Sequence, residues 1–221
     1  MWASTTFGFT TTYRKNDNRF FTQLNNMISK LSRLVIENIL KIICEKIIIR
    51  DILIVNKNNK INGIIEELYI KAESIIFNKI YISDIDIKIS DLVLSLAFNY
   101  KKSFIENSYA LINMRFTKDN INKTLSNKKW KRLKTSIESF ISMSFQSVEI
   151  YNKSIHFIST DGLSNRNIDY ILQYGKNSIS LVNNINQEKL SIFNDKNICV
   201  KNLFLCESHI ELEMVSKIIF N

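Results

Sequence analysis

Proline is absent from this chain of 221 residues, and glycine occurs only four times, at Gly8, Gly63, Gly162 and Gly175. Glycines this scattered cannot form the glycine-rich loop that binds phosphate groups. The chain is instead rich in isoleucine, asparagine and lysine, which is what an AT-rich genome encodes whatever the function. Composition therefore argues against a phosphate-loop nucleotide site and leaves other functions open.

Cysteine and histidine are also scarce, with three and two residues respectively. An odd number of cysteines at unrelated spacings argues for reduced thiols and against a disulfide framework. Cys206 and His209 have a spacing that zinc sites use, but no second such pair exists in the sequence. His156 lies in an alternating strand pattern, which favours a structural role. We therefore predict no catalytic group, no metal site and no cofactor, and expect that the protein is not an enzyme.

Long apolar segments are missing as well. No apolar run reaches the roughly 18 residues that a membrane span requires, and the N-terminus shows no continuous apolar segment of a secretory signal. Residues 1–18 have no clear period. We expect a loosely ordered N-terminus followed by a single α+β domain over residues 19–221.

The pattern that is present is alternation. Apolar residues alternate with polar ones in two neighbouring runs: Leu68, Ile70 and Ala72, then Ile85, Ile87 and Ile89. Since successive strand side chains point to opposite faces, each run has one apolar and one polar face. The break between the runs is too short for a helical crossover, which predicts an antiparallel meander.

Helices are predicted on either side of this meander. From Phe20 to about Lys46, apolar residues recur at spacings of three and four. The resulting stripe contains Leu24, Met27, Ile28, Leu31, Val35, Ile39 and Ile42. We expect it to cover the apolar face of the sheet. Another helix is predicted to start at Thr117, whose hydroxyl can cap its first turn. Further strands are predicted after Phe145, although the pattern over residues 167–174 does not decide between helix and strand.

The formal net charge of +9 suggests an anionic partner such as nucleic acid, lipid headgroups or an acidic protein, although codon bias explains it equally well. One cluster of charge lies on the second helix and contains Lys128, Lys129, Lys131, Arg132 and Lys134. Three interpretations stay open for it: a solvated helix face, a site for anionic headgroups, or a nucleic-acid contact.

Three features between about Ile47 and Ile141 resemble the LmeA-like phospholipid-binding domain family. Gly63 opens the meander, paired strands follow at Leu68–Phe77 and Ile80–Ile89, and a strand leads into a capped helix over Ile112–Leu125. The resemblance implies an α+β fold in which a curved antiparallel β-meander wraps around long amphipathic helices, similar to tubular lipid-binding folds. Its better-studied members are exported, whereas this chain shows no export signal. The cyanobacterial and plastid branch implies a plastid, at the stroma or membrane periphery, or a bacterial cytoplasm.

Together these observations favour a non-enzymatic lipid-binding protein that holds phospholipid acyl chains in an apolar groove at or near a membrane surface. The residues expected to line the groove are Leu24, Ile28, Leu31, Val35, Leu68, Ile70, Ile76, Ile87 and Leu94. The basic cluster is expected to contact anionic headgroups or another anionic partner. The alternative is a nucleic-acid-binding or protein-binding module that uses the basic helix over residues 117–141.

Overall fold

The computed structural model describes residues 14–56, 64–93, 108–151, 153–159 and 169–217, with side chains from residue 29 onward except at 56, 64–66 and 91–93. Within these residues the chain forms three α-helices: α1 (Arg14–Ile43), α2 (Lys118–Ser126) and α3 (Lys131–Ile141). A short 3-10 helix (Lys128–Trp130) separates α2 from α3. The strands are β1 (Lys46–Asn56), β2 (Ile64–Phe77), β3 (Ile80–Val93), β4 (Tyr109–Thr117), β5 (Phe145–Tyr151), β6 (Ser154–Ser159), β7 (Tyr170–Tyr174), β8 (Ser178–Asn183), β9 (Lys189–Asn194), β10 (Ile198–Leu205) and β11 (His209–Lys217).

These strands form two antiparallel sheets. The first has six strands in the order β1-β2-β3-β4-β11-β10, and the second has five in the order β5-β6-β7-β8-β9. The α+β class and the antiparallel meander are thus confirmed. The chain leaves the first sheet after β4, builds the second sheet, and returns to pair β11 with β4. The predicted meander pairs strands that are adjacent in sequence and does not include this return of the chain to the first sheet. Residues 167–174, which the pattern left undecided, contain strand β7.

One apolar row shows how register organises the first sheet. Met214, Ile112, Ile87, Ile70 and Ile52 are successive partners across β11, β4, β3, β2 and β1. Since they all point to the same face, alternation in each strand contributes to one shared apolar surface.

The alternation changes phase inside β2. Leu68, Ile70 and Ala72 are buried, but the next buried residue is Ile75. Ser74 between them has a φ of 52°. A residue in the left-handed region rotates the following side chains relative to the preceding ones, so burial moves from even to odd positions. This change decides which isoleucine at the end of β2 faces the core.

The link between the sheets begins with a well-capped helix, as predicted. The Thr117 hydroxyl accepts a hydrogen bond from the Asn120 N–H at 3.3 Å, and Asn120 Oδ1 accepts one from the Thr117 N–H at 3.1 Å. This reciprocal pair satisfies two N–H groups that a helix start leaves free. The Asn122 side chain bonds the Val148 N–H and C=O at 2.7 and 3.0 Å, which fastens α2 to β5. Since the Tyr81 N–H of β3 also donates to Thr124 Oγ1 at 3.0 Å, α2 is held against both sheets.

The largest core cluster lies where α2 and α3 pack on the second sheet. Three aromatic rings form its centre: Phe157 meets Phe145 at 4.9 Å and Tyr170 at 5.3 Å between ring centroids, both edge to face. Ile137 and Ile141 of α3 pack into the same cluster. Edge-to-face ring pairs add to the free energy of burial, so these rings contribute to the stability of this half of the molecule.

Helix α1 is attached much more lightly. It begins at Arg14, earlier than the predicted Phe20. Over residues 29–43, where its side chains are described, Ile36 is the buried apolar residue and packs in a small cluster with Ile52, Leu68 and Ile70. Within the described part of the chain, no helix combines the length and apolar character needed to cross a membrane.

Candidate functional site

The predicted apolar stripe of α1 does not cover the sheet where its side chains are described. Leu31 and Val35 are 52% and 50% exposed, whereas Ile36 is only 8% exposed. Because each helical residue advances the direction by 100°, Ile36 and Leu40 point to the sheet while the predicted stripe points away from it. Leu24 and Ile28 belong to α1, but their side chains lie outside the described residues. The expectation that this stripe packs on the sheet is wrong for Leu31 and Val35.

The strand residues of the predicted groove have mixed surroundings. Leu68 and Ile70 are buried, and Ile87 packs against them. Ile76 is half-buried, and Ile75 takes the core position because of the phase change at Ser74. Leu94 lies outside the described residues. The strand residues that do point inward therefore meet Ile36 in a packed cluster.

An apolar cavity of about 190 Å³ exists elsewhere, between α2, α3 and the two sheets. Its lining includes Ile121, Leu133, Phe157 and Leu181 and none of the residues predicted for the groove. Pockets that enclose drug-sized ligands measure roughly 300–1,000 Å³, and a dry cavity of about 150 Å³ is known to hold one benzene molecule. This cavity can hold a small apolar group but is too small for the acyl chains of a phospholipid.

The basic cluster is largely exposed. Lys128, Lys129, Lys131 and Arg132 are exposed around the 3-10 helix and the start of α3. Lys134 is half-buried, with its Nζ 5.1 Å from the centre of the Phe145 ring and 3.9 Å from Glu138 Oε1. Four of the five predicted cations are therefore exposed, and the fifth is partly covered by the protein.

Contacts at the β2–β3 turn bring this cluster next to the C-terminal end of α1. Lys129 Nζ bonds Asn78 Oδ1 at the tip of the turn, and Lys79 forms an ion pair with Glu45, which follows α1. Asn78 and Lys79 both have positive φ, at 52° and 64°, as a two-residue hairpin turn of the primed type requires. The Lys79 ammonium, by hydrogen bonding, lowers the pKa of the Glu45 carboxyl. The sequence predicted this turn as a break between two strands, but it did not show that the turn joins the basic cluster to the end of α1.

The same junction exposes large apolar side chains. Ile42 and Ile43 at the end of α1 are 83% and 54% exposed, and Phe77 before the turn is also exposed. Ile42 continues the exposed apolar side of α1 with Ile39, while Ile43 follows Ile36 and Leu40 at helical spacing and is exposed at the end of the helix. The result is one surface, here called the docking surface, with apolar residues Leu31, Leu34, Val35, Ile39, Ile42, Ile43 and Phe77 and cations Lys128, Lys129, Lys131 and Arg132.

Two polar cavities lie away from the docking surface. One of about 440 Å³ is on the polar face of the first sheet, among Asp84, Asp86, Arg115 and Glu211. There Arg115 pairs with Glu211 at 3.0 Å and with Asp84 at 4.0 Å. Pairs of this kind are expected on the solvated face of a sheet and need no ligand.

The other polar cavity, of about 640 Å³, contains His156 beside Asp169, at 3.7 Å from Nε2 to Oδ1, with Lys118 and Glu149 nearby. Neither ring nitrogen of His156 forms a hydrogen bond in the described part of the chain. A nucleophile paired with this histidine at hydrogen-bond distance is thus missing from the described residues.

Comparison with known proteins adds no relative. No family model matches the chain, and neither a curated protein nor a solved structure matches it.

Proposed function

We propose that this protein binds the surface of anionic phospholipid membranes through its docking surface, with α1 as an amphipathic interfacial helix. The observation that carries the proposal is the junction of the exposed apolar end of α1 with four exposed cations. A helix that lies in a membrane interface has apolar residues on one side and basic residues beside them. The resemblance of residues 47–141 to a phospholipid-binding family agrees with this partner.

The expected binding free energies indicate that membrane binding needs both the cations and the apolar residues of the docking surface. Each basic residue near an anionic membrane contributes about 1 kcal/mol, so four contribute about 4 kcal/mol, which alone corresponds to millimolar affinity. Full burial of a leucine or isoleucine is worth about 1.5–3 kcal/mol. Leu31, Val35, Ile39 and Ile42 are about half or more exposed, which leaves about 1 kcal/mol each. Together the two contributions reach about 8 kcal/mol, in the micromolar range.

The proposal concerns a membrane surface and not an acyl-chain groove under α1. Ile36, Leu68 and Ile70 are already packed together at that place, so an alkyl chain would have to displace α1. The tubular arrangement implied by the family resemblance is not required, because interfacial binding needs only the outer side of α1 and the adjacent cations.

Vesicle flotation of the full chain tests the proposal. The protein is mixed with vesicles of phosphatidylcholine alone or of phosphatidylcholine with phosphatidylglycerol. We expect binding to the anionic vesicles, weakened by salt because charges are screened beyond about 8 Å at physiological ionic strength. Equal binding to both vesicle types at low salt would contradict the role of charge.

Two pairs of variants assign the binding to the docking surface. Replacing Lys128, Lys129, Lys131 and Arg132 with glutamine is matched by the same change at four other exposed lysines, Lys176, Lys189, Lys196 and Lys201. Ile42→Asp is matched by Ile185→Asp, since both isoleucines are largely exposed. The change at the four cations removes about 4 kcal/mol and should weaken binding at least about tenfold. Ile42→Asp removes about 1 kcal/mol of burial and adds a negative charge, so it should weaken binding at least about fivefold. The matched changes should have a smaller effect.

Nucleic acid is the competing partner of the same cations and serves as an outcome of the test. The protein is titrated with fluorescent single-stranded and duplex RNA at the same salt concentrations. Ile42→Ser should leave any RNA binding unchanged, because it removes an apolar side chain that only a membrane interface uses and adds no charge. Binding to RNA combined with no binding to either vesicle type would overturn the proposal.

A further inference from the structure

The hairpin between β10 and β11 brings together three side chains of types that can bind a metal ion. They are distant in sequence from the residues of the docking surface. The Cys206 N–H donates to the His209 C=O at 2.9 Å, which closes a tight turn over Glu207 and Ser208. Leu205 and Ile210 are the adjacent partners in the ladder. Residues that face each other across such a turn have their side chains on the same face of the hairpin. Cys206 and His209 are therefore neighbours for a structural reason.

Strand alternation supplies the third side chain. Ile210 points to the core, so His209 and Glu211 both point to the outer face of the sheet. His209 Nε2 lies 3.1 Å from Glu211 Oε1. The ligand atoms of Cys206, His209 and Glu211 all lie within 4.8 Å of one another, and all three residues are half-buried. The sequence showed only the Cys206–His209 spacing, because the role of Glu211 depends on the strand that follows.

These separations suit a small tetrahedral ion. Bond lengths of about 2.3 Å to sulfur and about 2.0–2.2 Å to nitrogen and oxygen place tetrahedral ligand atoms about 3.3–3.6 Å apart. The histidine and carboxylate atoms are already near that separation, and the cysteine sulfur, which lies within 4.8 Å of both, needs to move by at most about 1 Å. Small rotations of a half-buried thiol at a hairpin end can provide such a movement.

Neighbouring side chains position two of the three ligands. Arg115 Nη2 donates a hydrogen bond to Glu211 Oε1 at 3.0 Å, so this carboxyl group has a cationic partner on the outer face of the sheet. His209 Nδ1 lies 3.2 Å from Ser208 Oγ, a contact that orients the ring with Nε2 toward Glu211. Metal-bound histidines commonly have their second nitrogen hydrogen-bonded in this way.

We propose that Cys206, His209 and Glu211 bind one divalent ion of the zinc class, with a fourth coordination position open to water. A thiolate and an imidazole favour zinc over magnesium or calcium, which prefer oxygen ligands only. On binding, the Cys206 thiol releases its proton to solvent, and a bond forms between its sulfur and the metal. His209 binds through an unprotonated Nε2, with its ring proton on Nδ1 toward Ser208 Oγ. The two anionic ligands then balance the charge of the ion, while Arg115 continues to contact Glu211.

Thiol protection in the full-length, tag-free protein tests the site without any substitution. The reduced protein is freed of metal, incubated with or without Zn²⁺, and alkylated, and each cysteine is followed by mass spectrometry. The described structure contains all three cysteines as half-buried free thiols, so Cys44 and Cys199 are internal controls. We expect Zn²⁺ to slow alkylation of Cys206 at least about tenfold, as a bound thiolate loses its reactivity, with no change at the other two.

Titration with Co²⁺ provides a second, spectroscopic readout. The wild-type protein should develop a thiolate-to-cobalt charge-transfer absorption that saturates at one equivalent and that Zn²⁺ abolishes. The band should vanish in Cys206→Ser, persist in Cys199→Ser, and require at least about tenfold more Co²⁺ in Glu211→Gln, since even outer-shell changes cost 10- to 100-fold in metal affinity. Circular dichroism of each variant checks that it is folded.

Two results would overturn the proposal. One is equal alkylation of Cys206 with and without Zn²⁺ in the folded wild-type protein. The other is a cobalt band that survives in Cys206→Ser, which would place the ion at another site.

Discussion

Helices α1 and α3 meet the rest of the molecule in opposite ways, although both have apolar residues at helical spacing. In α3, Ile137 and Ile141 are buried in a cluster that also contains residues of α2 and the second sheet. In α1, Ile36 is buried, while Leu31, Val35, Ile39 and Ile42 remain exposed. The difference shows that an apolar stripe predicts a need for cover but does not identify what provides it.

The two helices differ in burial because more helices and strands pack against α3 than against α1. Helix α3 follows a capped helix that is hydrogen-bonded to both sheets, so it is held between layers. Helix α1 precedes the first strand and rests chiefly against β1, at an edge of the first sheet. One edge strand cannot cover a helix that carries apolar residues on two sides. The uncovered side is the one we assign to a membrane.

The largest effect should come from disrupting the aromatic centre of the core where α3 packs on the second sheet. Phe157→Ala removes a buried ring that contacts Phe145 and Tyr170. We expect a loss of about 3–5 kcal/mol in the free energy of unfolding, from lost burial and the cavity that remains. Urea denaturation measures it, with Tyr174→Ala, an exposed ring in the same sheet, as the control. Similar midpoints for the two variants would contradict the assignment of Phe157 to the core.

Adjacent residues of α1 test its lighter attachment. Ile36→Asp places a charge against Ile52 and Leu68 in the packed cluster at β1, whereas Val35→Asp places it in solvent. We expect Ile36→Asp to lower the free energy of unfolding by about 2–3 kcal/mol, because an unpaired polar group becomes buried. Val35→Asp should stay within about 0.5 kcal/mol of the wild type. Thermal melts of both proteins decide, and a larger loss for Val35→Asp would reverse the orientation of α1.

A smaller effect is expected at the N-terminal end of α2, the helix that precedes α3. Thr117→Ala removes the hydroxyl that caps α2 and bonds the Asn120 N–H. We expect a loss of about 1 kcal/mol in the free energy of unfolding, typical of a threonine N-cap. Thr135→Ala, an exposed site inside α3, is the control and should be neutral or slightly stabilising because alanine favours helix interiors. Equal changes would mean that the cap is not important for stability.

The smallest effect is expected where the end of α1 meets the basic cluster at the β2–β3 turn. Glu45 is the acidic residue between the end of α1 and the basic cluster, and it is paired with Lys79. Glu45→Gln should tighten binding to anionic vesicles by less than about fivefold, as one negative charge is removed near the surface. Glu188→Gln, an exposed change elsewhere, should have less effect. Weaker vesicle binding in Glu45→Gln would indicate that this ion pair organises the docking surface rather than opposing it.

Much of the local structure could be predicted from the residues. The strands around Ile70 and Ile87 have a period of two, and Thr117 with Asn120 forms the cap that its position suggested. The pairing of β11 with β4 could not be predicted, because nothing in either strand specifies a partner so distant in sequence. The choice of Ile75 over Ile76 for the core was also hidden, since it depends on the backbone conformation of Ser74.

The candidate sites divide in the same manner. Lys128 to Lys134 could be recognised as a charge cluster, since like charges within a few residues of one another are close in space, here across the 3-10 helix and the start of α3. That Lys129 meets Asn78, and that Lys79 meets Glu45, required the β2–β3 turn to approach both helices. The association of Cys206 and His209 with Glu211 required the register of a hairpin.

By itself the sequence determined the elements and their apolar faces, because helix and strand periods follow from the local backbone geometry of each segment. It also determined the excess of positive charge and the absence of phosphate-loop glycines. Only the tertiary structure decided which apolar face is covered, at Ile36 and not at Val35, and which polar groups meet, at Glu45 and Lys79 or at His209 and Glu211. These outcomes depend on competition among distant surfaces for the same neighbours, and that competition is settled by the packing of the whole chain.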